Sequence, residues 1–128
     1  MMTSSENDIL TEAKNSKAFL RLEKNLTIDL LWIWVLKLLK EGPKYAYELK
    51  QEIQNRFNFS PAIVTNYTIL YLLEREGVVR KIEMRNEIER IDRKYYEITE
   101  LGYKLMEEAE NYIQETFNKL FDKEIKNE

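Results

Sequence analysis

Apolar residues crowd into one stretch of this chain and are spaced out elsewhere. From Ile28 to Leu39 (IDLLWIWVLKLL) they fall on nearly every side of a helical wheel, which predicts a helix buried all round. Thr27 stands where a cap is needed, Gly42 supplies a stop and Pro43 forbids continuation. A core of this size covers one side of such a helix, so a partner subunit or an N-terminal arm must cover the other. Tyr45, Leu49, Ile53 and Phe57 then recur every fourth residue and predict a second, amphipathic helix. A third begins at Ser60-Pro61, read as an N-cap followed by proline at the first helical position. It carries Ile63, Asn66, Leu70 and Leu73 on one face and ends at Gly77.

After Gly77 the period changes from helical to alternating. VVRKIEM (78–84) and KYYEIT (94–99) predict two strands, with RNEIERID as a charged, extended connection. Alternation puts Tyr95 and Tyr96 on opposite faces, one against the helices and one toward the wing surface. Thr99 caps a final helix whose stripe runs through Leu101, Leu105, Ala109, Tyr112, Ile113, Thr116, Phe117, Leu120, Phe121 and Ile125. Unbroken, that helix is about 40 Å long, more than a domain of this size can cover. It calls for a second copy, with Leu105, Ala109, Tyr112, Ile113, Phe117, Leu120 and Phe121 as dimerisation residues. Residues 1–26 place Ile9, Leu10, Phe19, Leu22 and Leu26 at helical spacing and predict an arm or short helix.

The expected architecture is mainly α with a small β-wing. Residues 27–99 form a winged helix-turn-helix domain, and residues 100–128 a C-terminal dimerisation helix.

Composition narrows the chemistry. The chain has 128 residues and neither histidine nor cysteine, so imidazole bases, thiolate nucleophiles and zinc sites built on either are excluded. Three separated glycines make no phosphate-cradling loop. The reading is of a binding protein and not an enzyme, with no cofactor and no metal. The longest apolar run, Leu30 to Leu36, is too short to span a bilayer, and the polar, acidic start is no signal peptide. A cytoplasmic protein with no membrane partner is expected. The net charge of −3 hides a gradient. Residues 78–94 hold six basic and four acidic groups, and residues 95–128 hold four and nine. A local field of this kind, not the total, decides whether phosphate is attracted.

Three segments resemble one family. LLKEGPKYAYELKQEI (38–53), TNYTILYLLEREGVV (65–79) and RKYYEITELG (93–102) are similar to the PadR-like transcriptional regulators, over roughly residues 28–121. The sequence departs from that pattern at Ala46, where glycine is usual, at Asn66 and Leu72, and in a wing reading RNEIER. The resemblance implies a homodimeric, DNA-binding transcriptional regulator. It also makes helix 61–75 the element that enters the major groove.

With the 63/66/70/73 face inward, Pro61, Val64, Thr65 and Thr68 point outward with Tyr67 at the edge. Such short polar and methyl-bearing side chains suit base edges. Ser60 joins them at the helix start. Arg85, Arg90, Arg93 and Lys94 are phosphate candidates on the wing, as are Lys44 and Tyr45 at a helix N-terminus. Asn66 points inward and is expected to be a satisfied, semi-buried amide. Because some PadR-like regulators bind flat aromatic effectors, Trp32 and Trp34 are effector candidates; read alone they are two core tryptophans. The rival reading is a winged-helix protein–protein adaptor that does not bind DNA.

Overall fold

The computed structural model describes residues 3–122. The N-terminal segment is two helices, α1 (Ser4–Lys14) and α2 (Lys17–Leu26). Thr3 opens α1 through a reciprocal pair: its hydroxyl accepts from the Glu6 amide at 3.1 Å, and the Glu6 carboxylate accepts from the Thr3 amide at 3.0 Å. Those bonds hold the Glu6 carboxyl below its ordinary pKa. Ser16 caps α2 by accepting from the Phe19 amide. Neither helix has a buried residue.

Thr27 does not cap the next helix. Its hydroxyl donates back to the Glu23 carbonyl at 2.7 Å, so it closes α2 and is not available downstream. Ile28–Leu30 form a single 3₁₀ turn, and the core helix is α3 (Leu31–Leu39). Leu31, Val35, Leu36, Leu38 and Leu39 are buried, each contributing about 1.5–3 kcal/mol by leaving water. Burial is not all round, because Trp32, Ile33 and Trp34 are half-buried and Lys37 is exposed.

Lys44–Tyr45 make a two-residue strand, β1, ahead of α4 (Ala46–Phe57). Asn58, left-handed at φ 65°, ends α4. The following helix, α5, runs Ile63–Arg75 with Ala62 at its N-cap position. Ser60 and Pro61 therefore lie before the helix, and Pro61 is fully buried instead of facing outward. Gly77, at φ +80°, stops α5 where a side chain would be strained. Leu49 and Ile53 of α4 and Leu70 and Leu73 of α5 complete the core with α3.

The wing is β2 (Val79–Asn86) against β3 (Ile91–Ile98), antiparallel, and β1 pairs with the other edge of β3. The connection is four residues, not an extended segment. The Asn86 side chain accepts from the Glu89 amide at 2.8 Å, and Arg90 takes φ 60° to return the chain. Val79, Tyr96 and Ile98 seat the sheet on the helices.

Thr99 caps α6 (Glu100–Phe121), accepting from the Gly102 amide at 3.1 Å. It also ties the start of α6 to the end of α5: its hydroxyl donates to the Gly77 carbonyl at 2.7 Å, and its amide to Val78 at 3.1 Å. A Cβ at Gly102 would stand 2.6 Å from Ile98 Cγ1 and closer still to the Val78 carbonyl, so α6 begins this near the sheet only with glycine there. The expected stripe position Ile125 lies outside the described residues.

Candidate nucleic-acid interface

The outer row of α5 is Val64, Tyr67, Thr68 and Tyr71, all exposed, with Thr65 half-buried beside it. Val64 is 70% exposed, an apolar side chain with no packing role in this chain. The Thr68 hydroxyl donates to the Val64 carbonyl at 2.9 Å, which turns its methyl toward solvent. Ser60 is exposed, with its hydroxyl 3.4 Å from Gln54 Oε1. Asn66 is fully buried rather than semi-buried, and only half satisfied. Its amide donates to the Ala46 carbonyl at 3.2 Å, while its Oδ1 has no partner.

Register divides the wing's charges between two faces. Opposed residues of an antiparallel pair share a face. Lys81 opposite Tyr96, Glu83 opposite Lys94, and Arg85 opposite Asp92 make one face; Ile82 opposite Tyr95, Met84 opposite Arg93, and Asn86 opposite Ile91 make the other. The first face looks toward α5, since Lys81 Nζ reaches Glu74 at 3.8 Å. Tyr45, Tyr47, Tyr67, Lys94 and Tyr96 line a cleft of about 250 Å³ between α5, the start of α4 and the wing. Burial raises the Tyr96 and Tyr45 pKa values, so both rings face the cleft as neutral phenols.

Arg93 stands on the far face and is already engaged. Its guanidinium pairs with both oxygens of Glu89 and stacks 4.6 Å from the Tyr45 ring centre. Tyr45 meets Tyr95 edge-on at 5.4 Å, and Asn86 donates to the Tyr95 hydroxyl at 3.1 Å. The bonds from Arg93 lower the Glu89 pKa. Arg93 therefore braces the wing against β1.

Lys44 is likewise engaged and is removed from the phosphate candidates. Its ammonium bonds Glu52 at 2.9 Å and lies 3.7 Å from Glu41, with its side chain only 13% exposed. Burial opposes its charge, and the Glu52 bond outweighs that and raises its pKa. Arg85, Arg90 and Lys94 are exposed. Lys81, Tyr47 and Tyr71 belong to the same surface and were not among the expected residues. The strand register carries Lys81 there, and Tyr71 follows Tyr67 by one helical turn.

Three helices, a short turn before the third and a two-stranded wing make a winged helix-turn-helix, and residues 35–108 match the transcriptional regulator PadR-like family. The chain belongs to that family. As a PadR-like protein it is a transcription regulator of the DNA-binding winged-helix class. It is similar to a transcriptional regulator from Clostridium thermocellum, at 26% identity and TM-score 0.60, covering 73% of this chain and 90% of that one. A PadR-like transcription factor from Bacteroides fragilis shares the fold at 20% identity and TM-score 0.65, with 80% and 97% covered. A PadR family regulator from Eggerthella lenta shares it over 94% of this chain and 99% of that one, at 22% identity and TM-score 0.60. A curated protein of Lysinibacillus sphaericus, itself uncharacterised, is 39% identical over 70 residues. The match spans 63% of that relative's length.

The two tryptophans of this PadR-like chain do not form one site. Trp34 is a structural residue: its ring lies 4.8 Å from Phe57 and 5.4 Å from Phe59, and its Nε1 donates to the Leu26 carbonyl at 2.9 Å. Trp32 instead lines an apolar cavity of about 270 Å³ with Ile69, Leu72, Leu73 and Leu105. Along α6, Leu105 and Ala109 are half-buried on their own domain, whereas Tyr112, Ile113, Phe117, Leu120 and Phe121 are exposed. No helix among the described residues is long and apolar enough to cross a membrane.

Proposed function

We propose that this PadR-like regulator binds duplex DNA as a homodimer, with α5 in the major groove and the α5-side face of the wing on the flanking backbone. The supporting observation is the shared cleft: the outer row of α5 and the row Lys81, Arg85, Lys94 border the same opening. Val64 and the Thr68 methyl offer apolar contact for thymine, and Thr65 and Ser60 offer hydroxyls. The bare outer half of α6 supports the dimer, because an isolated chain leaves five large apolar side chains there in water. Two such helices on one two-fold axis require half-sites about 10 base pairs apart, or a multiple of that.

Random duplex DNA titrated at two salt concentrations tests this. Affinity should fall steeply with salt, because each phosphate neutralised releases counterions. Glu83 and Asp92, interleaved among the cations of the same face, favour the adaptor reading instead. No DNA binding at low salt would establish that reading. The cavity beside Trp32 is the place for a flat aromatic effector, and quenching of tryptophan emission that a Trp32→Phe variant loses would test it.

A further inference from the structure

The fold leaves α1 and α2 without work in a single chain. They precede the residues matched by the family, and nothing in them is buried. Yet α2 gathers Phe19, Leu22 and Leu26 within about 60° of its circumference, at roughly 100° per residue. These side chains are between 37% and 51% exposed. On this helix a narrow apolar stripe exists with nothing against it.

The outer half of α6 has the opposite excess. Tyr112, Ile113, Phe117, Leu120 and Phe121 spread over about 180° of its circumference. One identical partner helix covers a narrower seam than that, roughly 100°. A dimer made through α6 alone would therefore leave one flank of each α6 bare.

Charge identifies the cover. Residues 17–26 carry three basic groups and one acidic, whereas residues 100–121 carry five acidic and two basic. A basic helix with a bare apolar stripe suits an acidic helix with more stripe than one neighbour can cover. Within one chain α2 packs on α1 and the 3₁₀ turn, while α6 packs on α3 and β3. The α2 that reaches the distal half of α6 must come from elsewhere.

We infer that α2 of each protomer lies along the outer half of α6 of a second copy, with Phe19, Leu22 and Leu26 against the flank bearing Ile113, Phe117 and Leu120. This rests on the homodimer proposed above. The N-terminal helices then become a clasp, holding each protomer by the helix that its own domain leaves uncovered.

The chain has no cysteine, so introduced ones report single contacts. Full-length protein with Leu22→Cys is mixed with mass-tagged protein carrying Ile113→Cys, Phe117→Cys or Leu120→Cys, the subunits are exchanged, and the mixture is oxidised. A disulfide-linked product with one chain of each kind is expected for at least one α6 position. Dimers by light scattering with no mixed disulfide at any of the three positions would overturn the inference and leave the homodimer standing. A monomeric unmodified chain would overturn both. Arg21→Glu with Lys24→Glu, both exposed, serves where a cysteine variant fails to fold. It should weaken the dimer about tenfold at low salt, with the difference closing near 1 M. An unchanged dimer there would also overturn the inference.

Discussion

Arg93 and Lys94 are consecutive on β3 and stand on opposite faces of the wing. Lys94 lies opposite Glu83 on the side of α5, and Arg93 opposite Met84 on the far side, stacked on Tyr45. Lys94→Ala should weaken random and operator DNA alike and flatten the slope of log affinity against log salt by up to about 0.9. Arg93→Ala should leave that slope nearly unchanged and instead lower thermal stability, because it unpins the wing from β1. Salt titrations of both variants, beside their melting curves, check the assignment. Equal loss of slope would place both side chains on DNA.

Val64 and Thr65 should behave differently from Lys94. Their contacts are with base edges, so Val64→Ala and Thr65→Ala should reduce the preference for operator over random duplex by about 1–3 kcal/mol each. The salt slope should stay near that of the unmodified protein. Competition between an operator selected from a random pool and unrelated DNA measures this. A uniform loss on every sequence would make this face a positioning surface.

Local sequence signals marked the helices well and the contacts between distant segments poorly. The rows Leu49, Ile53 and Leu70, Leu73 repeat at helical spacing, and both helices are where that spacing puts them. Thr99 was legible as a cap, and it is one. Strand β1 was not legible, since two residues have no period and its pairing with Tyr95 and Tyr96 lies some fifty residues away. Thr27 misled because a threonine between two helices fits either, and its hydroxyl went to the earlier one. Of the site, the outer row of α5 was visible in the period. The loss of Lys44 to Glu52 and of Arg93 to Glu89 was not, because it depends on which opposite charges the fold brings near.

Acid should find the joint between the end of α3 and α4. Arg56 bonds both oxygens of Glu41, at 2.9 and 2.7 Å, and holds that carboxyl down to about 2 from an ordinary 4.5. A carboxylate depressed on folding contributes stability above its unfolded pKa and loses it as pH falls through the folded one. Melting temperature should therefore drop as pH falls from about 4.5 toward 2, and Glu41→Gln should flatten that drop. With no histidine, neither stability nor DNA affinity should step between about pH 6 and 8. Melting curves across the acid range decide it.

Asn66 gives a test of the angle between α4 and α5. Its Oδ1 is buried without a partner, and its one bond runs to the Ala46 carbonyl. Asn66→Leu replaces a half-satisfied amide with an apolar group of similar volume and should leave stability within about 1 kcal/mol. Asn66→Asp puts an unpaired charge in the same place and should cost about 3 kcal/mol or more. Denaturant unfolding of the two variants separates them.

Thr99 makes the reading helix and the long helix a single lever. Its hydroxyl grips the Gly77 carbonyl that ends α5, and its amide grips Val78, one residue before the wing begins. A few degrees of swing where two α6 helices meet would reappear at full angle in both copies of α5. The spread of the pair would then open and shut like the legs of a compass. Anything that wedges into the distal half of α6 thus resets the distance between the two grooves the protein can straddle, without touching a residue that faces DNA.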